Sequence, residues 1–200
     1  MFNPATGVAS LSAALALSVA LAACSSSNST AASGSKANEG TGGATAKVDG
    51  ATDADFDATA ADFDCILNGT KVRNFYVKNK LGNEAGSLAV ADVTTGGVYP
   101  VGSLIQLIPT EAMIKRKVGF SPQSNDWEFF SLSVSASGTQ ILQRGTTEVV
   151  NAFNGNCFSC HDQAMPQYDF ICEETHGCPP LPFTAAQFTA IQQADPRCGD

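Results

Sequence analysis

Cys157, Cys160 and His161 stand in the order Cys-x-x-Cys-His within the run Cys157-Phe158-Ser159-Cys160-His161. This is the attachment pattern of c-type haem. Two thiols at this spacing can each add to one vinyl group of the macrocycle, forming thioethers. The adjacent imidazole then ligates the iron through a neutral ring nitrogen. The expected cofactor is therefore covalent haem c, with His161 as the iron ligand. A redox dithiol is the first rival, but such a motif opens a helix after a parallel strand in a βαβ pattern, and the chain shows no such pattern. Half a zinc site is the second; it needs two more ligands, and His176 is the only other histidine. The third is a haem-free structural lipoprotein in which the two thiols are disulfide-bonded.

The seven cysteines divide without remainder. Residues 11–23 are small or apolar, and Leu21-Ala22-Ala23-Cys24 follows them. A run this short suits the core of an export signal rather than a membrane span of about 20 residues. Its end resembles the lipobox of bacterial lipoproteins, which implies a signal peptide over 1–23 and acylation of Cys24. No Lys or Arg precedes the apolar run. With Cys24 given to lipid and Cys157 and Cys160 to haem, Cys65, Cys172, Cys178 and Cys198 are left. Four cysteines in an oxidising compartment read as two disulfides, with three connectivities open. Lipid, haem and disulfides all require the bacterial cell envelope on its periplasmic side, and Ser25 is compatible with the outer membrane.

Residues 25–52 are almost wholly Ser, Ala, Gly, Thr, Asn and Lys, with Val48 the only large aliphatic residue. Such a stretch cannot bury enough apolar surface to offset its ordering entropy. Together with Cys24 it forms the expected tether, 24–52, with a root-mean-square reach of about 29 Å. Residues 53–200 are enough for one domain with a core of its own. The formal net charge of −8, from 11 basic and 19 acidic residues, argues against nucleic acid and against attraction to anionic lipid. The membrane is thus expected to be reached through the lipid anchor only.

Several elements must position the attachment motif. Phe56, Ala60, Phe63 and Leu67 recur at helical spacing, with Asp53 as N-cap and Asn68-Gly69 as a stop. A short element covers 74–77, and 84–91 reads as a brief helix before the Gly96-Gly97 turn. Residues 102–108, 126–136 and 139–144 are rich in β-branched and aromatic types and read as strands, with Ser137-Gly138 as a hairpin turn. In the second of these, Phe130, Leu132 and Val134 alternate with Ser131 and Ser133, which predicts one packed and one wetter face. Residues 149–163 read as a helix interrupted at Asn154-Gly155-Asn156, and 183–194 as a closing helix with Pro182 outside it. The fold class expected is α+β.

The motif lies late, after residues that read mainly as strands. The only methionine after His161 is Met165, and four residues reach at most about 14 Å. That is too short to bring Met165 around the macrocycle to the opposite face of the iron. In order along the chain stand Tyr99-Pro100-Val101-Gly102, Met113 with Lys115-Arg116, Gly119-Phe120-Ser121-Pro122, Asp126-Trp127-Glu128-Phe129-Phe130, the Cys157–His161 motif and Asp169-Phe170-Ile171. This series resembles the cytochrome P-460 and cytochrome c′-beta family over 99–171. The resemblance implies an antiparallel β-sheet packed on the c-type haem with short flanking helices, His161 as proximal ligand, an open distal side and often a homodimer. Hydroxylamine-oxidising members cross-link a lysine to the haem. Counted from Gly102, that position falls near Leu107, with Lys115 and Lys117 further along. The resemblance therefore implies electron transfer with a redox partner protein, or binding of nitric oxide or carbon monoxide. A haem enzyme acting on hydroxylamine, nitric oxide or peroxide is the alternative.

Other candidates carry plainer expectations. His176 reads as a solvent-facing loop residue rather than a distal iron ligand, Met113 as a strand residue filling core rather than a distal thioether ligand, and Pro100 and Gly102 as turn residues. Lys115, Arg116 and Lys117 form a basic run suited to haem propionates or to a solvated strand end. Trp127, Phe129 and Phe130 are expected to include at least one haem contact. Mass spectrometry of membrane-extracted protein is expected to find Cys24 acylated at the mature N-terminus. An unmodified N-terminus elsewhere would contradict the lipoprotein reading.

Overall fold

The computed structural model describes residues 54–199, which fall within one compact unit. The expected signal peptide, Cys24, the tether and Asp53 lie outside the described residues.

Six strands, β1 (Thr70–Val72), β2 (Phe75–Asn79), β3 (Ser103–Gln106), β4 (Glu111–Lys115), β5 (Trp127–Ser135) and β6 (Gly138–Gly145), form one sheet in chain order. Every neighbouring pair is antiparallel. Helix α1 (Glu84–Ala91) links β2 to β3, while α2 (Cys157–His161) and α3 (Ala185–Gln193) follow the sheet. The architecture is α+β with an antiparallel sheet. Among the described residues, no helix is long and apolar enough to cross a membrane.

Register decides what each face carries. Met113 stands opposite Ile105 on one side and Phe129 on the other, and Ile105 opposite Val77. Side chains alternate across a strand, so these residues share one face with Phe75 and Trp127, as their common core cluster confirms. Leu104, Ala112, Ile114, Phe130 and Leu132 occupy the other face, beneath Ala58 and Phe63. Ser131 is buried as well, so β5 has no wet face over its first six residues. The expected alternation of packed and wetter faces therefore fails there, because chain segments from both ends of the domain cover the sheet.

The segment after residue 54 is not the expected helix. It makes two single 3-10 turns, Ala60–Asp62 and Ile66–Asn68. Asp62 turns back to accept the Thr59 amide, Cys65 is bonded to Cys198, and the Ile66 amide donates to Asp195 Oδ2 at 2.9 Å. These tertiary ties override helical spacing. The expected helix over 149–163 shrinks to α2. Asn151 and Gly155 close a turn, with the Asn151 amide donating to the Gly155 carbonyl at 2.9 Å, and Val150 bridges Asn156. Helix α3 starts as its sequence demands, with Thr184 and Gln187 forming a capping box.

The basic run is not a solvated strand end at its first two residues, which pair with carboxylates of the protein. Lys115 and Arg116 are buried, whereas Lys117 is exposed. Arg116 grips the Asp55 carboxylate with two nitrogens at 2.9 and 2.7 Å and also bonds Glu128, which Arg144 contacts from β6. The guanidinium holds the Asp55 carboxyl down at about 2.

Cys65–Cys198 and Cys172–Cys178 are the two disulfides, one of the three pairings left open by sequence. The first closes 133 residues of chain. Cys198→Ser is expected to lower unfolding free energy by about 2–5 kcal/mol, as for loss of a long-loop crosslink. Denaturant unfolding under non-reducing conditions checks this, and an unchanged midpoint would contradict it.

Candidate functional site

The face bearing Met113 and Phe129 is covered by the C-terminal segment, but incompletely. Between them lies an open cavity of about 360 Å³. Phe75, Ile105, Leu107, Glu111, Met113 and Phe129 line it from the sheet side. Cys157, Cys160, His161, Ile171 and Cys172 line it from the covering segment, and Phe183 and Phe188 also reach it. Size and lining suit a small-molecule or cofactor site. Both thiols of the Cys-x-x-Cys-His motif and the adjacent imidazole thus meet in a single, largely apolar cleft.

Local sequence explains how the motif is presented. The Asn156 side chain accepts from the Ser159 amide at 2.8 Å, capping α2, and donates to the Thr147 carbonyl at 2.8 Å. The Cys157 amide donates to the Val149 carbonyl at 3.0 Å, tying the start of the helix to the chain leaving β6. His161 packs its ring against Phe129, with centroids 5.2 Å apart. Its Nδ1 donates to the Phe170 carbonyl at 2.6 Å, leaving Nε2 as the nitrogen for a metal. Cys160 Sγ lies 3.9 Å from Cys172 Sγ, so the Cys172–Cys178 disulfide borders the motif.

Electrostatics separates the readings of the motif. Burial, then the neighbouring Glu111 and Cys160, push the Cys157 thiol up to about 12. A redox dithiol needs the opposite, a thiolate favoured by a depressed pKa. Burial pulls the His161 imidazole down, against the opposing bond to Phe170. The ring is therefore kept neutral, the form that ligates iron. Zinc fits poorly: among the described residues, the one set of three metal-capable atoms within 4.8 Å of one another is Cys65, Asp195 and Cys198, whose cysteines are disulfide-bonded. Two protonatable thiols and a neutral imidazole in one apolar cleft fit a c-type haem.

Glu111 is the functional candidate that sequence reading missed. It lines the cavity, its Oε1 is buried without a protein partner, and burial raises its carboxyl to about 7. The signal available was period two along β4, which sets Glu111 on the same face as Met113.

The remaining candidates fall as follows. Leu107 lines the cavity, whereas Lys115 is held away from it by Asp169 at 2.7 Å. Met113 is a buried strand residue on the cavity wall. Phe129 faces the cavity, the Phe130 ring packs on Phe63 across the sheet, and the Trp127 indole donates to the Asp169 carbonyl. His176 corrects the expectation of a solvent-facing residue: it is buried, stacks on Tyr168 at 3.8 Å, and donates from Nδ1 to the Ile171 carbonyl. It anchors the loop behind the cavity wall. Gly102 sits at φ +84° in a turn, where a Cβ would meet Leu81 at 2.8 Å.

No family model, curated protein or solved structure matches this chain. The case for function therefore rests on the cavity itself.

A carboxyl whose folded pKa exceeds its unfolded value binds more protons in the native state, so stability falls as pH rises between the two. For Glu111 that window runs from the usual glutamate range near 4.5 to about 7. Glu111→Gln is expected to remove a loss on the order of 3 kcal/mol across it. Unfolding of haem-free protein from pH 4.5 to 8 checks this, and parallel curves for the two proteins would contradict it.

Proposed function

We propose that this chain is a c-type haem protein whose haem is attached through Cys157 and Cys160 and ligated by His161. The convergence of both thiols and the imidazole on one apolar cavity carries the reading. In this role the group supplies one-electron chemistry and an iron site for a small ligand. The protein binds the macrocycle edge covalently, holds the imidazole neutral and oriented through Phe170, and presents a largely apolar wall of Phe75, Ile105, Leu107 and Met113. The resemblance to the cytochrome P-460 and cytochrome c′-beta family agrees with this arrangement. Leu107 on the cavity wall, with Lys115 turned away, favours electron transfer or binding of nitric oxide or carbon monoxide over the lysine-cross-linked chemistry of some members. A lipid anchor at Cys24 would hold the domain on the periplasmic side of an envelope membrane.

Glu111 favours a second reading, an enzyme that oxidises hydroxylamine or turns over nitric oxide or peroxide. Such reactions need a proton delivered or removed at the reacting atoms. A carboxyl poised near neutrality is suited to that exchange.

The test is the optical spectrum, ferric and ferrous, with and without carbon monoxide, of protein made in a periplasm with c-type haem maturation. A ferrous spectrum that shifts with carbon monoxide is expected, marking an accessible iron. Indifference to carbon monoxide would leave a six-coordinate electron carrier. Absence of haem would overturn the proposal and leave a disulfide-bonded lipoprotein.

A further inference from the structure

Residues 169–171 run past His161 in a backbone conformation that needs explaining. Asp169 (φ +50°) and Phe170 (φ +64°) are consecutive left-handed residues, and neither is glycine. Such backbone persists only where its surroundings over-determine it. The fixing contacts converge on Asp169, which is 1% exposed. Its Oδ1 accepts from Lys115 Nζ at 2.7 Å and from the Asn125 side chain. Its Oδ2 accepts from the Tyr99 amide at 2.8 Å, and its carbonyl from Trp127 Nε1 at 2.7 Å. Lys115 donates in turn to the Asn125 carbonyl at 2.6 Å and lies over the Trp127 ring. Lys115 and Trp127 are opposite one another on β4 and β5, on the face that lines the cavity further along.

Stability alone does not account for this cluster. Taking a lysine and an aspartate out of water consumes most of their mutual attraction, and apolar side chains of similar size would usually serve as well. Its geometric product is specific: the carbonyl after Asp169 is the acceptor of the His161 Nδ1 proton. A hydrogen bond at one imidazole nitrogen fixes the tautomer and ring orientation, and it raises the basicity of the other nitrogen as a metal ligand.

We infer that the buried Asp169–Lys115 pair is a positioning device for His161, clamping residues 169–171 to the sheet so that the Phe170 carbonyl fixes which ring nitrogen faces a metal. The inference rests on the haem reading for its purpose, but its geometry is a property of the chain alone. Asp169 and Lys115 are positioning residues that act through Phe170 and never touch the iron.

The test is the nitrogen-15 spectrum of His161 in the full chain produced without haem, for wild type, Asp169→Asn and Trp127→Phe. Wild type is expected to show one tautomer, protonated at Nδ1. In Asp169→Asn the Nδ1 and Nε2 resonances are expected to converge as the tautomers mix. Trp127→Phe keeps every charge, removes the donor to the Asp169 carbonyl while shortening the ring beneath Lys115, and is expected to move the same resonances in the same direction. It decides the matter if Asp169→Asn does not fold. In haem-loaded protein, the midpoint potential is expected to rise in both variants as the bond to Nδ1 weakens. A purely electrostatic role of the carboxylate would move it in Asp169→Asn alone. Unchanged His161 resonances in the folded variants, or an Nε2-protonated wild type, would overturn the inference. A wild-type chain that takes up no haem would defeat the haem reading while leaving the tautomer result to stand.

Discussion

The sheet of this domain is apolar on both sides. Trp127 and Phe129 project from one face of β5 and Phe130 and Leu132 from the other, and all four are buried. A sheet of this kind cannot expose either face to water, since each such side chain is worth about 1.5–3 kcal/mol on burial. Both flanking segments are therefore committed as covers. The N-terminal one brings Ala58 and Phe63 over one face, and the C-terminal one brings α2 and residues 169–171 over the other. The cavity exists because the second cover is incomplete, while the groups that line it are perturbed because they are still largely buried.

Crosslinks and buried ions hold the covers down. Cys65–Cys198 joins the start of the described domain to its end, and Asp195 adds a bond to the Ile66 amide beside it. Arg116 and Arg144 tie Asp55, Asp57 and Glu128 together over one face, while Lys115 and Asp169 do the same over the other. Each acidic group in these clusters has a cation close by. Glu111, on the same face as Lys115 but at the cavity end, has none, and the protein holds it closer to neutrality instead. The two ends of β4 thus show the two ways of accommodating a buried charge, by pairing it or by protonating it.

Much of this was legible in the sequence. Helix α1 spans the residues its pattern indicated, and the β5–β6 hairpin turns near Ser137-Gly138 as read. The motif and the even count of remaining cysteines were legible because spacing and parity are local facts. Strand β4 was harder to delimit, because Glu111, Ala112, Met113 and Lys115 are good helix formers drawn into a sheet by pairing on both sides. The segment from 54 to 68 misled for the converse reason: its apolar residues have helical spacing, but contacts far along the chain bend it. Charge and loop context leave Lys115 and Arg116 to haem propionates or solvent and His176 to solvent, whereas the carboxylates that bury the two cations lie up to 61 residues away. Glu111 is inconspicuous in the sequence because a lone carboxyl becomes informative only once the register places it beside Met113 in a cavity.

The central claim is that Cys157 and Cys160 carry a covalent group. Its most direct test is the intact mass of the full-length protein made with c-type haem maturation, measured after denaturation and reduction. A mass increased by one haem over the processed chain, with only the four disulfide cysteines left open to alkylation, supports the claim. A bare polypeptide mass, with Cys157 and Cys160 also alkylated, would contradict it.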